Sequence, residues 1–545
     1  MSHTAIITSA AYANDELCAE LGRLPASFLP LGNRRLFEAQ VEALAPLCDA
    51  LVLTLPQSFT PDPEDTQWLA DHNVTVITVP DDKTLSDSLL YCLNVLPQAP
   101  SQLTVLHGDT LLGDMAAFSA NSLALTHHPS AGYSWGAVDL SLPQAPFQPA
   151  GDIEGDMAII AGYFCFNQPA LLVRCLTQAN GRFLAALNAY HAHNPLVMSE
   201  TKAWLDFGHV TLYYQSKNAV QTHRSFNDVS YNKRTLTKTG THHAKIRAEA
   251  LWYQQLPAEL KAYLPNVTAI ELPSDATPPS YTMEYLYYPL LANLFVFGRN
   301  QKVVWQTIFN SLNEFMTLCQ KHAQPPTNSD FSTEVFYKQK TLQRLADYAR
   351  TTGLDLDQPW VMNGTPLPSI KVIVDTCVQA IPELTHTTVS HGDLCFSNIF
   401  YDFRSECIRV IDPRGMTLAG DPTIMGDPRY DLAKLSHSLI GGYDHMIAGR
   451  ATLVDNGYDL TLSLGFTPQT LAVQALFKTM RFGELSPNDA AIQAITILLF
   501  LSMLPLHADR PDRQRLFLAN ALRLFNEWQT KQPFVSRTLL AGASH

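Results

Sequence analysis

The sequence predicts an α/β protein of two domains. Short apolar runs alternate with amphipathic stretches from the N-terminus to His107, and the pattern turns mainly helical after about Val303. A chain of 545 residues also exceeds one compact core, because domains usually run to about 100–200 residues. Residues 4–8, 50–55, 74–78 and 103–107 read as buried strands, and 34–47, 62–71 and 84–96 as the helices between them. Strand–helix alternation implies a parallel sheet with helices on both faces. Ligands of such sheets bind beyond the carboxyl ends of the strands, which directs attention to the residues after Thr8 and His107.

A break falls near 215–235, where polar residues gather at 215–218 and 224–228. It divides the chain into domains 1–220 and 221–545. Beyond it, 231–238 reads as a strand, 244–255 as a helix and 389–412 as strand–loop–strand within the helical remainder. The aromatic run from Tyr281 to Tyr288 could cage a quaternary amine, but core packing is the commoner use of such a run.

Composition narrows the function classes. The chain is 46% apolar and 16% charged, as in ordinary globular proteins. A net charge of −13 argues against nucleic acid as a partner, which needs clustered Lys and Arg. Nine cysteines without a Cys-x-x-Cys pair read as reduced thiols in a cytoplasmic protein. The N-terminus lacks a basic stretch followed by a long apolar run, so no signal peptide is expected. The most apolar stretch, 494–504, ends at Pro505. It is shorter than the roughly 20 residues a membrane span needs, and reads as a buried core helix.

His391-Gly392-Asp393 and Asn398 share one loop, and Asp412 ends the next strand. Two carboxylates and an amide so spaced can converge on one cavity. Phosphoryl transfer needs such a set: a carboxylate to orient or accept the hydroxyl proton, and oxygen ligands for Mg²⁺ on the phosphates. The stretch resembles the aminoglycoside phosphotransferase and choline kinase superfamily in H-G-D-L-C-F-S-N at 391–398, I-D-P-R-G at 411–415 and G-D-P-R-Y-D-L-A at 426–433. The resemblance spans about residues 225–530. It implies a bilobal kinase-like (α+β) domain using ATP and Mg²⁺ on a small-molecule alcohol, amino alcohol or sugar. Asp393 would be the catalytic base, and Asn398 and Asp412 would hold the metal. His391 and Asp431 would support the loop. Lys238 would reach the ATP phosphates with Glu249 as its partner, Lys233 being the rival lysine. Glu284 and Leu286 would sit at the hinge that receives adenine. There is no Gly-x-Gly-x-x-Gly loop, which argues against a protein kinase.

Toward the N-terminus, Leu106-His107-Gly108-Asp109-Thr110 ends a buried strand with a carboxylate suited to a metal–nucleotide site. With Ala161–Phe166 and Ala203–Gly208 following in order, it resembles the sugar-nucleotide pyrophosphorylase and phosphocholine cytidylyltransferase family. Pro30–Leu36 with Gln40 fits the same pattern. This resemblance spans about residues 3–220 and implies a Rossmann-like nucleotidyltransferase domain. Asp109 and Asp206 would hold the Mg²⁺ that bridges CTP or another NTP and the attacking phosphate. One departure matters. The loop Ser9–Glu16 has neither the family's glycine run nor its Arg, and Pro25-Ala26 stands where the family has Pro-Lys. Arg23, Arg34 and Arg35 are the candidates for the missing charge. Two readings stay open. One is a bifunctional enzyme making a nucleotide-activated donor, CDP-choline-like or NDP-sugar-like, for bacterial surface polysaccharide. The other is a kinase with an inactive nucleotidyltransferase-like binding or regulatory domain.

Overall fold

The computed structural model describes residues 2–127, 133, 135–139, 146–152, 158–221, 229–232, 234–273, 277–326 and 331–531. The chain divides into two compact units, Met1–Arg224 with Phe297–Asn300, and Ser225–Val296 with Gln301–His545.

In the first unit, the strands Val74–Val79, Ala50–Pro56, His3–Thr8 and Gln102–His107 lie side by side in that order, all parallel. The interiors of the last three are buried on both faces, as their unbroken apolar runs require. The helices Leu36–Leu44, Pro63–Asp71 and Leu85–Val95 come between them in the chain. Thr84 caps the last by accepting the Asp87 N–H. The sheet is not parallel throughout, however. Ala158–Phe166 runs antiparallel to Gln102–His107, and Ser122–His127 antiparallel to Ala158–Phe166. A parallel return needs a crossover of a dozen or more residues, usually helical. The described residues between Thr110 and Ala158 contain only strands and single 3-10 turns, so the chain returns antiparallel. The polar stretch 215–218 is no break but part of the helix Val210–Gln221. Residues 224–228 and Lys233 lie outside the described residues.

The second unit opens with a four-stranded antiparallel sheet, ordered Val229–Tyr231, Thr235–Lys238, Ser280–Glu284, Val267–Glu271. The strand expected over 231–238 is thus a hairpin. Asn232 Oδ1 accepts the N–H groups of Arg234 and Thr235, both at 2.8 Å, and turns the chain. The helix His243–Gln255 follows and packs on Ser280–Glu284. Most of the rest is helical. Ala490–Ser502 is buried on nearly every side between Pro428–Leu439 and Pro511–Lys531. Within this region a second four-stranded sheet forms from Thr365–Leu367, Trp360–Met362, Asp459–Ser463 and Thr452–Asn456, which the mainly helical pattern of the sequence did not suggest. Among the described residues, no helix is long and apolar enough to cross a membrane.

Two small pairings hold the loops of interest. Thr388–Val389 pairs with Met425–Gly426, and Ile399–Asp402 with Cys407–Val410. They anchor the segments that carry Asp393 and Asp412.

Candidate functional site

In the second unit, the loop at His391 is fastened by one buried carboxylate. Ser390 Oγ and the N–H groups of His391 and Gly392 all donate to Asp431, at 2.9, 2.8 and 2.8 Å. His391 Nε2 lies 2.9 Å from the Ile411 carbonyl, so that nitrogen carries the proton, and Nδ1 accepts the Asp393 N–H. Burial lowers the pKa of His391 and keeps it neutral. Gly392 has φ +73°, and a Cβ there would meet Arg414 Cβ at 2.7 Å.

Asp393 therefore enters the cavity from a fixed backbone. Its Oδ1 is 2.7 Å from Lys434 Nζ, and Asn398 Nδ2 donates to its carbonyl (2.9 Å) and to its Oδ2 (3.2 Å). Burial alone would raise the Asp393 pKa, but Lys434 outweighs it and holds the carboxyl below its usual range. The Ile411 N–H donates to the Asn398 carbonyl at 3.0 Å, which draws Asp412 beside Asn398. Asp412 itself sits at φ +57°, the left-handed region that suits Asn and Asp in turns. Lys238 Nζ bridges Asp412 Oδ1 (2.9 Å) and Glu249 Oε2 (2.8 Å), and Tyr281 OH donates to the same Glu249 oxygen at 2.8 Å. Lys238 is 3% and Glu249 0% exposed. Burial would lower the lysine pKa, but Asp412 and Glu249 raise it, so the cation is kept.

Asp393, Asn398 and Asp412 line one cavity of about 440 Å³, with Lys245, Lys340, Arg344, Arg414 and Lys434 around it. The donor set fits Mg²⁺. The Asn398 amide nitrogen is engaged with Asp393, leaving its carbonyl oxygen to coordinate, and Asp412 adds a carboxylate. Glu284 and Leu286 do not line this cavity. Glu284 closes the strand Ser280–Glu284, its N–H bound to the Asn266 carbonyl, and Leu286 is buried just beyond.

In the first unit, Asp109 and Asp206 face a cavity of about 340 Å³ with His107, Trp135, Trp204 and His209. Trp204–Asp206 pairs with Thr110–Leu112, setting Asp206 opposite Thr110. The Phe207 N–H donates to the Asp109 carbonyl at 2.8 Å. Buried Gln40 secures the turn, its Nε2 donating to the carbonyls of His107, Gly108 and Thr110 at 3.2, 3.0 and 2.8 Å. A Cβ on Gly108 would meet the Thr8 carbonyl at 2.8 Å, so only glycine fits. Asp206 accepts from the Gly208 N–H (2.7 Å) and from Trp135 Nε1 (3.3 Å), and pairs with His209 Nδ1 (3.1 Å). Burial, and then the Asp206 charge, push the Asp109 carboxyl up to about 6. Two carboxylates in that state are a fitting seat for Mg²⁺, which would relieve their repulsion.

The candidates for the missing charge stand unequally. Arg35 is fully buried and paired with Asp62 and Asp65, both at 3.2 Å, so it cannot reach a ligand. Arg34 pairs with Glu42 at 2.6 Å. Arg23 stacks over the ring of Tyr12, 4.0 Å from its centroid, and so lies against the Ser9–Glu16 loop. That loop ends at Asn14, whose side chain donates to the Gly208 carbonyl at 2.8 Å, and then in Asp15 and Glu16.

A scan of protein-family models finds no match to this chain, and no curated protein matches it in sequence. Among solved structures, the chain is similar to the inositol-1-phosphate CTP transferase from T. maritima, at 13% identity and a TM-score of 0.31, over 41% of this chain and 98% of that one. It is similar to HddC from Yersinia pseudotuberculosis at 14% identity and a TM-score of 0.29, over 41% and 100%. It is also similar to a glucosamine kinase, solved with glucosamine, ADP and inorganic phosphate, at 10% identity and a TM-score of 0.36, over 55% and 76%.

Several site residues escaped the sequence reading. Lys434 lies one residue past the G-D-P-R-Y-D-L-A match and had no signal beyond its proximity to it. Lys340 and Arg344 stand four apart on an amphipathic helix, which from sequence is a solvated face. His209 follows Asp206-Phe207-Gly208, and that proximity was the available clue.

Proposed function

We propose that the chain is a bifunctional enzyme: a small-molecule kinase in the second unit and a nucleotidyltransferase in the first. The observation that carries the kinase reading is the convergence of Asp393, Asn398 and Asp412 on one cavity, with the buried Lys238–Glu249 pair behind Asp412. Asp393, held ionised by Lys434, orients the acceptor hydroxyl and takes its proton as the oxygen bonds to the γ-phosphorus of ATP. The bond to the bridging oxygen breaks and ADP leaves. Lys238 is the cation for the nucleotide phosphates. Mg²⁺ held by Asn398 and Asp412 would neutralise charge on those phosphates. In the first unit, Asp109 and Asp206 would hold the ion that activates an NTP, CTP being the favoured candidate. The new phosphate ester would then be joined to a nucleoside monophosphate with release of pyrophosphate. Such a donor suits decoration of a bacterial surface polysaccharide.

A specific observation favours the second reading, a kinase whose first unit only binds a nucleotide or regulates. Arg35 is sequestered, and the loop that should cradle a triphosphate ends in Asp15 and Glu16. One experiment separates the two. The full chain is incubated with ATP, Mg²⁺, each NTP and a panel of acceptors, and ³¹P NMR is followed. Both a phosphomonoester and a diphosphate diester are expected. A monoester that no NTP converts onward would leave the kinase alone.

A further inference from the structure

The kinase cavity also carries basic side chains that pair with no carboxylate among the described residues. Lys340 and Arg344 lie one turn apart on the helix Lys340–Thr352, and Arg414 lies two residues beyond Asp412. All three line the cavity with Asp393. Lys340 Nζ sits 4.2 Å from the ring centre of Phe336 and 5.3 Å from that of Tyr430. Arg414 Cζ is 5.5 Å from the Phe336 ring centre, and Arg344 donates to the Ser502 carbonyl at 3.1 Å. Among the described residues none of the three has a carboxylate partner, whereas the other cations nearby do. Lys434 holds Asp393, Lys238 holds Asp412 and Glu249, and Lys245 approaches Glu249 at 3.7 Å. Burial, and then the charges of Arg414, Arg344 and Lys434, push the Lys340 pKa well below its usual value, and an anionic ligand would offset that repulsion and hold Lys340 as a cation.

We propose that the acceptor of the kinase is itself an anion, a small hydroxylated molecule bearing a carboxylate or phosphate that Lys340, Arg344 and Arg414 bind. This rests on the kinase reading of the same cavity and narrows its substrate class. The position favours the acceptor over ATP. Lys238, the nucleotide's cation, comes from the strand Thr235–Lys238. Lys340 and Arg344 come from the helical part, next to Tyr443, Met503 and Leu506. The guanidinium groups offer the forked donors that a carboxylate or phosphate accepts. Transfer of a phosphoryl group onto an acceptor that is already negative also needs this neutralisation. A choline-like cation would meet the wrong charge.

The test is calorimetry on the full chain saturated with Mg²⁺ and a non-hydrolysable ATP analogue, titrated with D-glycerate, glycerol 3-phosphate, glycerol and choline. At least one anionic probe is expected to bind about tenfold or more tighter than glycerol and choline. Lys340→Gln and Arg344→Gln should each weaken that probe about tenfold or more while leaving the analogue within about twofold, and Lys340→Arg should restore it. Thermal melts identify any variant that fails to fold. Preference for glycerol or choline, binding of no anionic probe, or weakening of the nucleotide in place of the probe overturns the proposal. Failure of the kinase reading looks different: the analogue itself would not bind, or would bind equally well to Lys238→Met.

Discussion

The two candidate sites share a plan and differ in how their charges are balanced. Each brings two carboxylates to a cavity, from a strand-end or loop turn held by a buried polar side chain: Asp431 in the second unit, Gln40 in the first. In the second unit each carboxylate already has a lysine, Lys434 on Asp393 and Lys238 on Asp412. In the first unit, among the described residues, the pair has His209 on Asp206 as its one ion-pair partner, and the Asp109 carboxyl is pushed up. A site with its cations built in is prepared for a polyanion. On the proposed reading, a site of unbalanced carboxylates would need metal brought from outside. The difference predicts that the second unit tolerates a change of pH and metal supply better than the first.

The sharpest way to break this contrast is Asp393→Asn. Phosphoryl transfer should fall about 10²–10⁴-fold, with nucleotidyl transfer to an added phosphate ester unchanged by ³¹P NMR. Loss of both activities would contradict independent sites. Next is Lys238→Met, which leaves Glu249 charged and buried with only the exposed Lys245 at 3.7 Å near it. Removing one member of a buried pair costs about 3–5 kcal/mol, so the melting temperature should drop and ATP binding weaken. Asp206→Asn in the first unit should lower nucleotidyl transfer about 100-fold or more and leave the melting temperature of the second unit alone.

The pH test follows from Asp109. Its carboxyl in the folded protein is raised to about 6, above its unfolded value, so the folded state holds the extra proton between. Stability from this group is therefore present at low pH and lost as pH rises toward 6. The same proton competes with a metal. In an Asp412→Asn background, Mg²⁺ affinity measured by calorimetry should rise about tenfold from pH 5 to pH 7 and then level off. The smallest effect belongs to Arg23→Ala. NTP binding should weaken about threefold to fivefold if the exposed arginine contacts phosphate, and not at all if the first unit is a relic.

The fold was legible where one segment decides its own fate. Residues 50–55 and 103–107 are apolar runs of strand length, and both are central strands. Direction was not legible, because nothing within AIIAGYFCF says whether its partner runs parallel. The sheet of Trp360–Met362 and Asp459–Ser463 was missed for a related reason. Its strands are short, three of the five residues of DLTLS are polar and exposed, and the partner lies about a hundred residues away. In the site, Asp393, Asn398 and Asp412 stood out because they fall within 20 positions. Lys340 did not, since only the folded chain brings it to the cavity that Asp393 lines.

The Lys238–Asp412 contact also bears on the order in which ligands arrive. At 2.9 Å, the place beside the carboxylate is already held by a counter-ion belonging to the chain. A bare divalent ion would have to evict a lysine that Glu249 keeps from leaving. A nucleotide that arrives already chelated brings phosphates for the lysine to move onto, and the exchange conserves charge. On the proposed reading, metal and nucleotide enter as one complex, and free Mg²⁺ alone neither primes nor blocks the site.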